Sequence, residues 1–160
     1  MSDTLYDAIQ AEIAKYPDRR SAILAALRLG QDKYGWLSPA AVEEVARCID
    51  LSPAQCVAVA SFYDMFFLEP VGTHIVEVCT NVSCGLVGAT EVVRAFEREL
   101  GVTLGGTTAD GHVTLRSVEC LGGCGWGPVV SVDHSYHEHV TADDAAVIVA
   151  SLRTSEKAAH

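Results

Sequence analysis

Two closely spaced pairs of cysteines constrain what this chain can fold into more than any other feature. The first pair is Cys79 and Cys84, with four residues between them, and the second is Cys120 and Cys124, with three. Each pair follows a short segment rich in β-branched residues that predicts a strand, so both are expected on loops just past strand ends. In an α/β sheet such loops converge on one edge, which would bring the four thiols together.

Four thiolates around a compact core suit a [2Fe–2S] cluster or a Zn²⁺ ion, and the residues around the pairs favour the cluster. Structural zinc sites more often use two-residue knuckles, although four-residue spacing lies within their range. A helix predicted to begin at Gly85 would direct its amide groups and positive dipole end towards the first pair. The second pair begins at Cys120, directly before residues 121–127, where four of seven residues are glycine and backbone amides can approach sulfur closely. Such donors stabilise the charge that a reduced cluster gains.

Other interpretations of the cysteines stay open on these grounds. Structural zinc is one of them. Two disulfides are another, although the reducing cytoplasm disfavours disulfides. A thiol-exchange site is the third, although the C-x-x-C motif typical of such sites is missing. Cys48 and Cys56 lie in the helical part of the chain and are interpreted as small buried hydrophobic residues. His134, His137 and His139 are interpreted as part of an exposed polar hairpin rather than as a metal site.

Composition narrows the class of protein. With 160 residues, 49% of them hydrophobic, the chain can form one ordinary domain or a small helical piece attached to a compact one. No stretch approaches the roughly 20 apolar residues of a membrane-spanning helix, and the N-terminus lacks the features of a signal peptide, so we expect a cytoplasmic protein without direct membrane insertion. The net charge of −10 argues against nucleic acid as a partner. Residues 61–160 carry 13 acidic and 5 basic side chains, which favours partners with a basic face.

The hydrophobic pattern changes near residue 70. From Asp3 to about Phe67, apolar residues recur at a spacing of three to four and predict four short helices packed as a bundle. Two of these helices are expected to begin at the same signal, a serine N-cap followed by proline, at Ser38 and Ser52. We therefore expect residues 1–70 to form an N-terminal helical bundle and residues 71–160 to form a second domain.

The second part of the chain has the pattern of a small layered fold. Strands are predicted at residues 74–78, 113–118 and 129–132, with 136–140 as a hairpin partner of the last, and helices at 85–100 and from Thr141 onwards, where a capping box is expected. This order predicts a small layered fold of thioredoxin type, of the α+β or α/β class. The chain has no glycine fingerprint for a nucleotide and no evident base or nucleophile, so single-electron transfer is the expected activity.

The sequence resembles a known family, the NuoE-type [2Fe–2S] subunit of NADH:quinone oxidoreductase (complex I). The resemblance extends over about residues 20–153 and is carried by the following motifs: Leu29-Gly-Gln31, Tyr34-Gly-Trp-Leu-Ser-Pro39, Val59-Ala-Ser-Phe-Tyr-Asp-Met-Phe66, Pro70-Val-Gly72, Val78-Cys-Thr-Asn-Val-Ser-Cys84, and Val118-Glu-Cys-Leu-Gly-Gly-Cys124 leading to Pro128-Val129.

The resemblance implies a helical bundle followed by a thioredoxin-like [2Fe–2S] ferredoxin domain. It implies that Cys79, Cys84, Cys120 and Cys124 hold the cluster, and that a partner subunit carries FMN, the NADH site and its own iron–sulfur cluster. Hydride chemistry would then take place on the partner, and this subunit would exchange single electrons with the flavin. NAD-dependent formate dehydrogenases and NAD-reducing hydrogenases contain the same module and are the alternative assemblies. One departure is residues 125–127, where this chain has Gly-Trp-Gly and many relatives carry a small or polar pair and then alanine before the proline.

Overall fold

The computed structural model describes residues 5–153, and the chain divides between Pro70 and Val71 into two compact units. Among the described residues, the first unit contains α1 (Leu5–Ile13), α2 (Ile23–Tyr34), α3 (Pro39–Ile49) and α4 (Pro53–Ala60), with a 3₁₀ turn at Arg19–Ala22 before α2. These are the short helices that the periodicity predicts. The predicted start of the first helix at Asp3 lies outside the described residues.

The two serine–proline signals begin α3 and α4, as predicted. The Ser38 Oγ accepts a hydrogen bond from the Ala41 N–H at 3.1 Å. The Ser52 Oγ accepts one from the Gln55 N–H at 3.3 Å, and the Gln55 Oε1 accepts one from the Ser52 N–H at 3.0 Å, which completes a capping box. Each cap satisfies amide groups that the first helical turn leaves unpaired, which contributes about 1 kcal/mol to stability.

The helices of the first unit are held together by one apolar core. Its buried members include Ile9, Leu27, Val45, Ile49, Cys56, Ala60 and Phe66. The Gln31 side chain connects α2 to the chain after α4, because it donates to the Met65 carbonyl at 2.9 Å and accepts from the Phe67 N–H at 2.7 Å. Burying a Leu or Ile side chain contributes about 1.5–3 kcal/mol. Packing therefore stabilises helices that are too short to form alone in water.

Gly30 marks a close approach between α2 and α3. A Cβ built on Gly30 would lie 2.5 Å from the Val45 Cγ2 and 3.5 Å from the Leu37 Cδ2. The first distance is well below van der Waals contact, so α2 can pack against α3 in this way only where residue 30 has no side chain.

We predict that Gly30→Ala destabilises the first unit by about 1–3 kcal/mol, the usual cost of overpacking, although alanine is the better helix former. The free energy of unfolding would be measured by urea titration followed by circular dichroism. The double variant Gly30→Ala/Val45→Ala is the control, because it removes the methyl group that the new Cβ meets. Its loss should be smaller than the sum of the two single losses, and additive losses would contradict the steric explanation.

In the second unit, the described residues form a four-stranded sheet of β1 (His74–Cys79), β2 (Val113–Val118), β3 (Val130–Val132) and β4 (Ser135–His137), in the order β2-β1-β3-β4. β1 runs parallel to β2 and antiparallel to β3, and β3 pairs antiparallel with β4. Parallel strands need a crossover connection, which contains α6 (Ala89–Leu100). The short α5 (Val82–Leu86) precedes α6, and α7 (Asp144–Leu152) follows the sheet.

The core of the second unit lies between one face of the sheet and the helices α6 and α7. Its members from the sheet are Val76, Val78, Val113, Leu115, Val130 and Val132, and those from the helices include Val92, Phe96, Ile148 and Leu152. Alternate residues of each strand contribute, as expected for side chains that point to one face. The sheet with its helices is the mixed α+β arrangement predicted for this part of the chain.

The predicted single helix over residues 85–100 is wrong, because the structure contains two helices. α5 begins at Val82, where the Asn81 side chain accepts a hydrogen bond from the Val82 N–H at 2.8 Å. Gly88 then adopts a φ of 108°, a left-handed conformation that interrupts the helix before α6 begins at Ala89. The apolar residues of the two helices share a similar periodicity, so the pattern alone does not show the break.

The last two elements also differ in detail from the prediction. β4 ends at His137 rather than at residue 140, and His139 has a positive φ of 54° that is incompatible with a strand. The final helix begins at Asp144 rather than next to Thr141. The Asp144 carboxylate accepts hydrogen bonds from the Thr141 N–H and hydroxyl at 2.8 and 2.7 Å, so the threonine donates instead of acting as the N-cap.

Candidate metal centre

The parallel pairing of β1 with β2 places the two cysteine loops at the same edge of the sheet. Cys79 is the last residue of β1 and lies opposite Val118, the last residue of β2. Cys120 follows two positions after that strand, and Cys124 begins a 3₁₀ turn that ends at Trp126. Cys84 lies within α5, so it is not on the loop where the sequence pattern placed it.

The four thiols are close neighbours. The Cys84 and Cys120 thiols both act on the pKa of Cys79. The charges of Cys79 and Cys124 both act on Cys84. The structure therefore brings together all four cysteines that the sequence singled out, two from each pair.

Backbone amides act on three of these sulfurs. The Gly122 N–H donates to the Cys120 Sγ at 3.3 Å. The Asn81 and Leu121 amides lower the pKa of Cys79, and the Val129 amide acts in the same direction on the pKa of Cys84. The predicted amide donors are therefore present, but they come from the loops and from the residue before β3 rather than from a helix beginning at Gly85. Donors of this kind favour thiolates over thiols and are the usual surroundings of sulfurs that bind iron.

The pKa values of the two buried thiols shift in opposite directions. Burial raises the pKa of Cys79, but hydrogen bonds from the two amides and from neighbouring thiols more than offset it, so the pKa lies below its ordinary value. Burial also raises the pKa of Cys84, and the charge of Cys79 raises it further, while the Val129 amide only partly opposes them. In the metal-free protein, the pKa of Cys79 therefore lies below that of Cys84.

The four cysteines differ strongly in exposure within this chain. Cys79 and Cys84 are only 3% and 1% exposed, and they pack with Ala89 and Val129 in a small core of their own. Cys120 and Cys124 are exposed. The surface beside them is apolar and includes Val82, Leu86, Val87 and Trp126. Two of the four thiols are thus anchored in the protein interior, and the other two face outwards.

The donor set fits an iron–sulfur cluster by its chemistry. Four soft thiols in two pairs, with amide donors at their sulfurs, match the ligands and the surroundings of a [2Fe–2S] cluster. Such a cluster divides its four thiolates between two irons, so it requires sulfurs in pairs rather than one tight group. Within residues 5–153, no three His, Cys, Asp or Glu side chains meet the geometric requirement for one shared metal ion.

The other candidate residues lie elsewhere. Cys48 and Cys56 are buried in the core of the first unit, as predicted, and burial raises the pKa of both thiols. His134, His137 and His139 are exposed in the hairpin of β3 and β4 and the segment after it. None of these five residues is among the four neighbouring thiols.

One buried polar pair, His74 and Asp133, is not predicted by the sequence pattern. The His74 Nδ1 lies 2.5 Å from the Asp133 Oδ2, and the other carboxylate oxygen accepts from the Ile75 N–H at 2.8 Å. The pair fastens the turn between β3 and β4 to the first residues of β1, at the opposite end of that strand from Cys79. The one available signal is a histidine at the start of a strand rich in β-branched residues.

Comparison with known proteins gives consistent matches over most of the chain. The model of the family described as thioredoxin-like [2Fe–2S] ferredoxin matches residues 9–153. The chain is 39% identical to a protein of Rhizobium meliloti that is named as a subunit of NADH-quinone oxidoreductase, covering 96% of this chain and 92% of that protein. It is 37% identical to a protein of Thermus thermophilus that is also named as a subunit of NADH-quinone oxidoreductase, covering 97% and 87%.

A solved structure supports the same fold. A crystal structure of NAD⁺-reducing [NiFe]-hydrogenase in the air-oxidised state matches with a TM-score of 0.73 and 20% sequence identity, over 82% of this chain. This chain spans only 23% of that hydrogenase chain. At this identity the likeness concerns the fold alone.

We predict that the exposed and buried thiols react at very different rates in the folded, metal-free protein. Iodoacetamide should modify Cys120 and Cys124 about tenfold faster, or more, than Cys48 and Cys56, because the latter are buried and have a raised pKa. Mass spectrometry of peptides at timed intervals would measure the rates. The control is the same reaction in urea, where the difference should disappear. Equal rates in the folded protein would contradict the structure.

Proposed function

Because the chain belongs to the thioredoxin-like [2Fe–2S] ferredoxin family, we propose that it is the electron-transfer subunit of an NADH dehydrogenase of the complex I type. The observation that carries this proposal is the group of four thiols at the end of β1 and β2, with amide donors at their sulfurs. The relatives named as subunits of NADH-quinone oxidoreductase, at 37–39% identity over nearly the whole chain, support the choice of complex.

In this proposal, Cys79, Cys84, Cys120 and Cys124 hold one [2Fe–2S] cluster. The cluster supplies one-electron chemistry. The protein holds two ligands rigidly in its interior, and the amide groups stabilise the negative charge on the sulfurs. The exposed pair leaves one side of the site accessible to a redox partner.

The partner in this proposal is a subunit that carries FMN, the NADH site and its own iron–sulfur cluster. NADH is oxidised there, and this chain exchanges single electrons with the flavin. Residues 61–160 carry more acidic than basic side chains, so they are compatible with a docking face on the partner that has basic groups at its rim. The protein acts as part of an oxidoreductase and should not oxidise NADH alone.

The location follows from the same assembly. Among the described residues, the structure contains no helix with the length and apolar character needed to cross a membrane. We propose that the protein works in the cytoplasm, at the inner face of the membrane, where the complex would hold it.

We predict an axial or rhombic S = 1/2 EPR signal that appears only after dithionite reduction, with about two irons per chain. A [2Fe–2S] cluster is EPR-silent when oxidised and becomes paramagnetic when it gains one electron. Iron and zinc would be counted in the same samples, and co-purification of a flavoprotein would support the partner. One zinc per chain and no signal would replace this proposal with a structural zinc module.

We further predict that Cys120→Ser loses or destabilises the cluster, because a serine oxygen is a poorer ligand for iron than a thiolate. Cys48→Ser is the matched control, since the same substitution there falls in the core of the first unit. Iron content and the visible spectrum of both purified variants would be compared with those of the unmodified protein. Loss of the cluster in the Cys48 variant alone would show that the ligand set is wrong.

A further inference from the structure

We propose that Gly127 is a positioning residue for the Cys84 sulfur, because the absence of a side chain at this position lets the backbone close directly on that sulfur. The inference rests on the proposed function, in which Cys84 is a ligand of the cluster. Gly127 itself binds nothing, and it lies outside both cysteine pairs.

The backbone conformation does not account for the glycine. Gly127 has φ −66° and ψ 157°, which any residue can adopt and which residues before a proline such as Pro128 prefer. The left-handed conformation that makes glycine necessary elsewhere is therefore not the reason here. The glycine is explained by the space around position 127.

A Cβ at position 127 would be wedged between two residues of the neighbouring helical segment. It would lie 3.2 Å from the Cys84 Sγ, 3.2 Å from the Val87 Cγ2 and 3.5 Å from the Cys84 Cα. Carbon atoms in contact normally lie about 3.5–4.0 Å apart, and sulfur is larger than carbon. At least one of the two side chains would have to move by a few tenths of an ångström.

The surroundings indicate which side chain would be disturbed. Val87 is 56% exposed, and its Cγ2 closes the other side of the space around a Cβ at position 127. Cys84 is 1% exposed, packs with Cys79 and Val129 in one small core, and interacts electrostatically with Cys79 and with the Val129 amide. Side chains in a packed interior have little room to adjust, so the sulfur cannot move without changing these contacts. The close approach of Gly127 therefore helps to fix the Cys84 sulfur against the Val129 amide.

Because the backbone conformation of Gly127 suits any residue, an alanine at position 127 is expected to be compatible with the fold. What the glycine changes is the distance at which the backbone meets a ligand sulfur. Hydrogen bonds from amides to sulfur raise the reduction potential of an iron–sulfur cluster. Loosening the interaction between the Val129 amide and the Cys84 sulfur should therefore lower the reduction potential of the cluster.

The test compares Gly127→Ala with Gly125→Ala in the full-length, cluster-loaded protein. Gly125 is the matched control, because it lies on the other side of Trp126 and a Cβ there would meet nothing within 4 Å. We expect Gly127→Ala to have a lower reduction potential and an altered visible circular dichroism spectrum, and Gly125→Ala to match the unmodified protein in both. A Gly127→Ala protein with unchanged potential and spectrum would overturn the inference.

A second variant keeps the test decisive. Val87→Ala removes the Cγ2 that the new Cβ at position 127 would meet. The reduction potential of Gly127→Ala/Val87→Ala should therefore return towards that of the unmodified protein. A double variant that retains the full shift would overturn the steric explanation. If Gly127→Ala alone fails to hold the cluster, recovery of the cluster in the double variant supports the inference, and loss in both overturns it.

The failure of this inference is distinguishable from that of the proposed function. The iron count and the S = 1/2 signal of the unmodified protein are recorded first, and their absence overturns the proposed function. A normal cluster in that protein, together with identical behaviour of the two alanine variants, overturns the role of Gly127 alone.

Discussion

The parallel pairing of β1 with β2 is the constraint on which the candidate site depends. The two strands end side by side, with Cys79 opposite Val118, so the loops that follow them leave the same edge of the sheet. Parallel strands cannot be joined by a tight turn, and the α6 crossover both makes the connection and supplies much of the core beneath the sheet. The same packing that stabilises the second unit therefore brings together cysteines that are distant in the sequence.

The group of four thiols combines a buried half with an accessible half. Cys79 and Cys84 lie in a small apolar core, whereas Cys120 and Cys124 lie at the surface. A buried pair limits the reorganisation that accompanies a change in charge, and an exposed pair shortens the distance to a partner. Both properties suit one-electron transfer between proteins better than chemistry on a substrate, which would need a base or nucleophile beside the thiols.

Much of this arrangement could be predicted from the sequence, and the failures have physical causes. Ser38 and Ser52 are reliable signals because an N-cap acts through neighbouring residues only. The break at Gly88 was missed because the residues on both sides continue one apolar periodicity. The His74–Asp133 pair joins residues 59 positions apart, and the Gly127 contact depends on how α5 packs against a loop. Spacing rules contain no information about either.

The separation of the two cysteine pairs along the chain has a consequence for folding. Cys79 and Cys120 lie on either side of a segment that contains α5, α6 and all of β2. A metal group bound to both pairs closes this segment into a loop of about 40 residues, and a covalent cross-link over such a length removes about 4 kcal/mol of chain entropy from the unfolded state. The ligands would thus link the ends of β1 and β2, and loss of metal and loss of tertiary structure would be linked equilibria of the second unit.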